Sequence, residues 1–209
     1  MTVESERADR RGPSPRKALH VLIFTGAVPA QLLGGFWGVT IYGGVVALLI
    51  FLSALRGAGS LLYDALARPR DGAAEARYVF LPLLATALGG LLSLLLVGSF
   101  AVVGYLVCGW GDAAGEVVGT RWGRHRYISL LAGTTSPRRS LEGSAAVLVA
   151  GSGGAWVALL LLGFSPLPAA GAAVVCGLAG ALAEALSSHG TDNFPVLLLP
   201  SLAAWWLLG

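Results

Sequence analysis

The sequence predicts an all-α, polytopic integral membrane bundle of about seven transmembrane helices with a cytoplasmic N-terminus. Three observations lead there. The 209-residue chain is 56% hydrophobic and 12% charged, about half the charged share of a soluble domain, and its mean hydropathy is +0.75. Its apolar residues fall into runs of about 20, the helix length that crosses about 30 Å of hydrocarbon. Its 14 Lys and Arg are confined to alternate connections between those runs. This composition excludes a disordered chain and an ordinary soluble enzyme. The formal charge of +3 does not argue for nucleic acid, because the cations follow topology. Cys108 and Cys176 lie in apolar runs and offer neither CxxC spacing nor a disulfide framework.

The expected spans are 18–34, 36–55, 78–97, 98–118, 144–163, 168–187 and 194–208. None shows the alternation of a barrel strand, so helices are expected. The last is short and contains Pro200, which suits a thin, tilted or kinked helix. The 30 glycines suit close helix packing, most densely at Ala150–Ala155. Arg7, Arg10, Arg11, Arg16 and Lys17 precede the first span. Arg56, Arg68, Arg70 and Arg77 lie between the second and third, and Arg121, Arg124, Arg126, Arg138 and Arg139 between the fourth and fifth. A cytoplasmic N-terminus puts all of them on one side, while the opposite turns near Gly35, Gly98 and Ser165 are uncharged. Residues 1–17 then form a basic cytoplasmic tail, and 18–209 one membrane-embedded domain with cytoplasmic loops 56–77, 119–143 and 188–193. Loop 56–77 carries no assigned role. Arg16–Lys17 followed by an apolar stretch and Val28-Pro29-Ala30 also fits a signal peptide, but cleavage there leaves the remaining orientation unchanged.

Ionisable groups at membrane depth are costly and mark candidate function. The uncharged run Gly98–Gly111 is about 21 Å long as helix, which places Asp112 at the cytoplasmic edge of the hydrocarbon. Glu116 follows one turn later on the same face. Glu184 lies about 24 Å in from Pro168 and reaches the same edge. His20 opens the first span, Asp192 and Asn193 the last, and Arg138, Arg139 and Glu142 close the basic loop. One plane thus collects the polar residues. Plainer roles exist for each: Asp192 or Asn193 as a helix cap, Glu142 as a complement to a helix dipole, the arginines as topology signals, His20 as an interfacial histidine. Asp112 and Glu116 repel each other, so a cation is expected between them, either Mg²⁺ or a salt-bridging Arg121 or Arg124.

At these residues the sequence resembles the phytol kinase / dolichol kinase family of membrane polyprenol kinases. "RKALH" (Arg16–His20) resembles the family's RKxxH element. "GDAAGEVVG" (Gly111–Gly119) followed by "RWGRH" resembles its GDxxAxxxG-xxFG element. "RRSLEGS" (Arg138–Ser144) resembles its K-[ST]-x-E-G loop, and "EALSSHGTDNFPVLLLP" (Glu184–Pro200) its E…DN…P element. Arg139 stands where the family has Lys, Gly115 where it has Ala, and Trp122 where it has Phe. The length is closer to the compact phytol kinase-like members.

The resemblance implies transfer of a phosphoryl group, typically from CTP with Mg²⁺, to the terminal hydroxyl of an isoprenoid alcohol of the phytol, geranylgeraniol or dolichol class. It implies Asp112, Glu184 and Arg139 as catalytic residues. It implies Arg138, Arg139, Ser140, Glu142, Gly143, Lys17, His20, Gly119 and Arg121 around nucleotide and phosphate, and Asp112, Glu116, Asp192 and Asn193 around the metal. No Walker A sequence is present, so the basic loop is expected to cradle phosphate. The expected partners are the alcohol, the nucleotide and the bilayer, with no nucleic acid; a homo-oligomer is left open. Two alternatives stay open: a CTP-dependent lipid cytidylyltransferase of the phosphatidate or archaeol type, and a small non-enzymatic transporter. The charges at one interface and the lack of a repeat speak against the transporter.

Overall fold

The computed structural model describes residues 15–57, 59–60, 62–63, 75–129, 139–188 and 190–209. It is nearly all helical. Helix α1 spans Pro15–Arg56, 42 residues, with Gly35 at φ 56, ψ −142 inside it. A straight helix of that length would reach about 63 Å. Instead Tyr42 Oη donates to Ile23 O at 2.8 Å, two residues that a straight helix would hold about 28 Å apart. The chain therefore reverses at Gly35, whose positive φ only glycine takes without strain, and α1 is a pair of antiparallel limbs.

The second stretch repeats the device. Helix α2, Glu75–Val97, meets a 3₁₀ turn at Gly98–Phe100, with Gly98 at φ 57. Then come α3, Ala101–Leu106, a π-turn at Val107–Gly111 and α4, Asp112–Trp122. A Cβ on Gly90 would lie 3.6 Å from Tyr105 Cε1, so α2 and α3 run back alongside each other. Gln31 Nε2 donates to Gly98 O at 2.9 Å and ties the two reversals together.

A two-residue antiparallel pairing joins β1, Arg126–Tyr127, to β2, Arg139–Ser140. Helices α5, Leu141–Leu161, α6, Pro166–Leu186, and α7, Asn193–Leu208, complete the bundle. Among the described residues, four helical stretches are long and apolar enough to cross a membrane: Pro15–Arg56, Val79–Trp122, Leu141–Leu161 and Pro166–Leu186. Helix α7, 16 residues, is apolar but shorter. The sequence reading divided each of the first two stretches in two, at the places where Gly35 and Gly98 reverse the chain.

The core runs along α3 and the π-turn. Every residue from Ala101 to Cys108 is buried, and α1, α5, α6 and α7 wrap around this axis. Glycines set the closest crossings. A Cβ on Gly154 would stand 2.9 Å from Leu106 O, and one on Gly104 would strike Leu197 O of α7. The Ala150–Ala155 run was read as the densest packing surface, and Gly151 and Gly154 meet Val107 and Leu106 there. Outward positions carry large apolar groups such as Leu33, Trp37, Leu167 and Trp206. In lipid such a bundle is held by van der Waals fit and internal hydrogen bonds rather than by expelling water.

Candidate functional site

The first three charged residues of α1 share a face. Arg16 and His20 are four residues apart and Lys17 lies between them on the same side of the helix. They meet Asp112 and Glu116, which also align one turn apart on α4. Lys17 Nζ lies 2.5 Å from Asp112 Oδ2 and 3.3 Å from Glu116 Oε2. Arg16 Nη2 donates to Glu116 Oε2 at 2.9 Å. His20 Nε2 lies 3.2 Å from the same Asp112 oxygen. The cation expected between the two carboxylates is thus supplied by the chain itself. Its source is Lys17 with Arg16 rather than Arg121 or Arg124, and Lys17 is buried. The resemblance places Lys17 and His20 around nucleotide and phosphate, whereas Arg16 counts in the sequence only as an orientation signal, although it begins the RKALH motif.

A second cluster stands where β2, α6 and α7 converge. Arg139 Nη1 pairs with Glu184 Oε1. Its Nη2 donates to Asp192 Oδ2 at 3.1 Å and to Ser187 O at 3.4 Å. Ser129 Oγ donates to Leu186 O at 2.7 Å, fastening the loop beside it. Three residues read separately from the sequence therefore form one cluster.

The two clusters are joined through the π-turn. Cys108 Sγ lies 4.0 Å from His20 Nε2 and 3.8 Å from Asn193 Oδ1. Asn193 Nδ2 donates to Thr86 Oγ1 at 2.7 Å. π-turns often occur at functional sites, and this one sets Cys108 and Asp112 on the two sides of one polar layer. Cys108 and Thr86 had no signal in the sequence, because neither lies in a recognisable motif.

Several expected roles change. Glu142, expected at nucleotide and phosphate, points to the loop instead. It accepts from Arg124 N at 3.1 Å, and its Oε1 lies 2.7 Å from His125 Nδ1, so it closes the loop ahead of β1. Ser140 caps α5, its Oγ accepting from Gly143 N at 3.1 Å. Gly143 and Gly119 sit in a helix crossing, where a Cβ on Gly143 would stand 3.3 Å from Gly119 Cα. Arg121 is exposed. Asn193 spends its amide on Thr86 and Cys108. Arg138 lies outside the described residues, as does most of loop 56–77.

A cavity of about 390 Å³ opens from this layer into the bundle. Lys17, His20, Asp112, Asp192 and Asn193 line its polar end, and the rest of its wall is mainly apolar side chains of α1 and α2 with Tyr105 and Leu197. Glu116 and Glu184 are not part of the wall. Asp112 Oδ1 and Asp192 Oδ1 make no hydrogen bond with a described residue, while their Oδ2 atoms are engaged. Among the described residues no group of three or more His, Cys, Asp or Glu is arranged to hold a metal ion.

Over 110 residues the chain is 36% identical to a phytol kinase of Synechocystis sp.. The matched stretch is 51% of this chain and 43% of the relative's length. The similarity supports a phytol kinase-like family. No family model matches the chain, and no solved structure matches it.

Proposed function

We propose that the chain phosphorylates the terminal hydroxyl of an isoprenoid alcohol at the cytoplasmic face of a membrane, with a nucleoside triphosphate, CTP in the first instance, as donor. One observation carries this reading: a single cavity has a layer of Lys17, His20, Asp112 and Asp192 at one end and an apolar slot behind it. A polar head and a hydrocarbon tail fit that division, and the partial similarity to a phytol kinase points the same way. The bundle crosses the membrane about seven times in this reading, with the N-terminus inside.

The alcohol oxygen attacks the γ-phosphorus, the bond to the β–γ bridging oxygen breaks, and the nucleoside diphosphate leaves. The hydroxyl proton passes to the Asp112 carboxylate, whose Oδ1 is available. Arg16, Lys17 and Arg139 set positive charge around the phosphates, which phosphoryl transfer needs more than covalent chemistry. Glu116 and Glu184 position those cations from behind. A donor set of one or two carboxylates suits Mg²⁺, which completes its shell with water and phosphate oxygens. Asp192, through Oδ1, would hold it, and the ion would neutralise charge on the transferring phosphate. Mg²⁺ is therefore expected to arrive with the nucleotide.

The test is purified protein in detergent with γ-labelled CTP, UTP, GTP and ATP, each crossed with phytol, geranylgeraniol and dolichol. Label in a lipid monophosphate is the expected product. Release of diphosphate with the nucleotide retained on lipid would show a cytidylyltransferase instead, and no nucleotide-dependent product would reject both.

A further inference from the structure

The apolar slot has an uneven wall. Gly43 and Gly44 on the second limb of α1 and Gly90 on α2 all line it. A Cβ built on Gly43 or Gly44 would meet no atom within 4 Å, and one on Gly90 would meet only Tyr105 Cε1, at 3.6 Å. These glycines are not needed for a helix crossing, unlike Gly104 or Gly154. Each costs about 0.5–1 kcal/mol relative to alanine inside a helix, and what it leaves is open space at a residue that lines the cavity.

Their depth coincides. The close approach of Gly38 to Ala30 O fixes the antiparallel register of the two α1 limbs and sets Gly44 about level with Phe24 and Gly43 with Thr25. That is about 6–7.5 Å inward of His20. Gly90 lies one helical turn, about 6 Å, inward of Thr86, the residue bonded to Asn193 in the polar layer. The cavity is thus widened one turn behind its polar end. Tyr105 stands beside Gly90 in the same wall. It is 5% exposed, and its hydroxyl makes no hydrogen bond with any described residue. The hydroxyl is not among the buried polar atoms left without a partner, and Tyr105 lines the cavity, so it offers a donor to an occupant of this part of the wall. The π face of a chain double bond is one weak acceptor that an occupant can offer.

We infer that Gly43, Gly44 and Gly90, with Tyr105, form a waist that selects methyl-branched chains, by leaving room where the first branches of an isoprenoid alcohol follow its hydroxyl. The inference rests on the proposed function for the nature of the head group, but it concerns the tail alone. An unbranched chain fits a narrow waist as well as a wide one. A branched chain does not, and one added methylene in a fitted pocket is worth about 10–200-fold.

Binding rather than turnover tests it. Radiolabelled geranylgeraniol is bound to the purified full chain in detergent, and an unbranched alcohol of equal carbon number competes. Gly44→Leu and Gly90→Ala should each raise the Kd for the branched alcohol at least about tenfold, about 1.4 kcal/mol, and leave the competitor's affinity within about twofold. Gly171→Leu is the control. A Cβ there also meets nothing within 4 Å, but Gly171 is outside the cavity, and both affinities should stay at the wild-type level. Equal losses for both alcohols in either cavity variant, unchanged binding, or no branched-chain binding by the wild type would overturn the waist. Failure of nucleotide-dependent turnover with binding intact would overturn the proposed kinase activity and leave the waist standing.

Discussion

Lys17 Nζ and Asp112 Oδ2 meet at 2.5 Å although 95 residues separate them in the chain. The pair joins the first turn of α1 to the first residue of α4, and Glu116 completes it at 3.3 Å. A buried lysine is tolerated only when its charge is matched, and removing one partner of such a pair costs about 3–5 kcal/mol. Lys17→Met should therefore lower the melting temperature in detergent sharply, because it leaves two carboxylates one turn apart. Adding Asp112→Asn to Lys17→Met should recover part of that loss. Strictly additive losses in the double variant would show that the pair is not coupled.

Asp112→Asn alone should fold, since Lys17 and Arg16 keep Glu116 as a partner. Its turnover should fall by about 10²–10⁴, the usual contribution of a positioned general base. Near-normal turnover in this variant would remove Asp112 from the chemistry.

Arg139 bridges Glu184 and Asp192, so Arg139→Ala removes positive charge from the site and leaves two carboxylates facing each other. Each charge-assisted bond is worth about 1.5–3 kcal/mol, and the efficiency with nucleotide should fall at least about tenfold. Arg139→Lys should be milder but incomplete, because an ammonium is a point charge and cannot fork between two acceptors. Glu142 belongs to a separate contact with His125 and Arg124. Glu142→Gln should therefore add to Arg139→Lys within about 0.5 kcal/mol in a double-variant cycle. A larger coupling energy would mean that the two residues act as one unit.

The contrast between Glu142 and Arg139 marks what the sequence discloses. Apolar run length and glycine placement are local properties, so the reversals at Gly35 and Gly98 could be located before any coordinates. The polar layer was legible too, since helix rise places Asp112 and Glu184 at one depth. Pairing was not. Arg16, Lys17, Arg121, Arg124 and Arg139 all lie near that depth, and nothing local decides which of them meets which carboxylate. Tertiary packing decides it: the α1 limb crosses α4 at Asp112 and Glu116, and β2 delivers Arg139 to the junction of α6 and α7. Cys108 reaches the layer through a π-turn, whose extra residue per turn leaves no clear mark in an apolar run.

Gly115 offers a test of packing. A Cβ there would stand 2.5 Å from Val147 Cγ2, which explains glycine where the resembled pattern has alanine. Gly115→Ala should destabilise by about 1–3 kcal/mol, the usual cost of overpacking. Val147→Ala opens the same space, so the double variant should regain most of the loss. A Gly115→Ala variant as stable as the wild type would place α4 and α5 further apart than described.

Orientation can be read with single cysteines, because the two native ones are silent. Cys108 and Cys176 are both fully buried, so a membrane-impermeant maleimide should report only an introduced thiol. Ser165, in the turn between α5 and α6, and Thr120, near the end of α4, are both exposed. The basic residues Arg121, Arg124, Arg126 and Arg139 adjoin Thr120, whereas the turn at Ser165 carries no charge. Positive loops stay on the cytoplasmic side, so Thr120→Cys should react only from that side and Ser165→Cys only from the opposite one. Lys17 and Asp112 lie at the same end of the bundle as Thr120, so the Thr120→Cys result also reports on which side the cavity's polar end opens. Reaction of both thiols from one side would reduce the number of crossings between them. Reaction of Ser165→Cys from the cytoplasm alone, with Thr120→Cys outside, would invert the bundle and separate the site from cytosolic nucleotide.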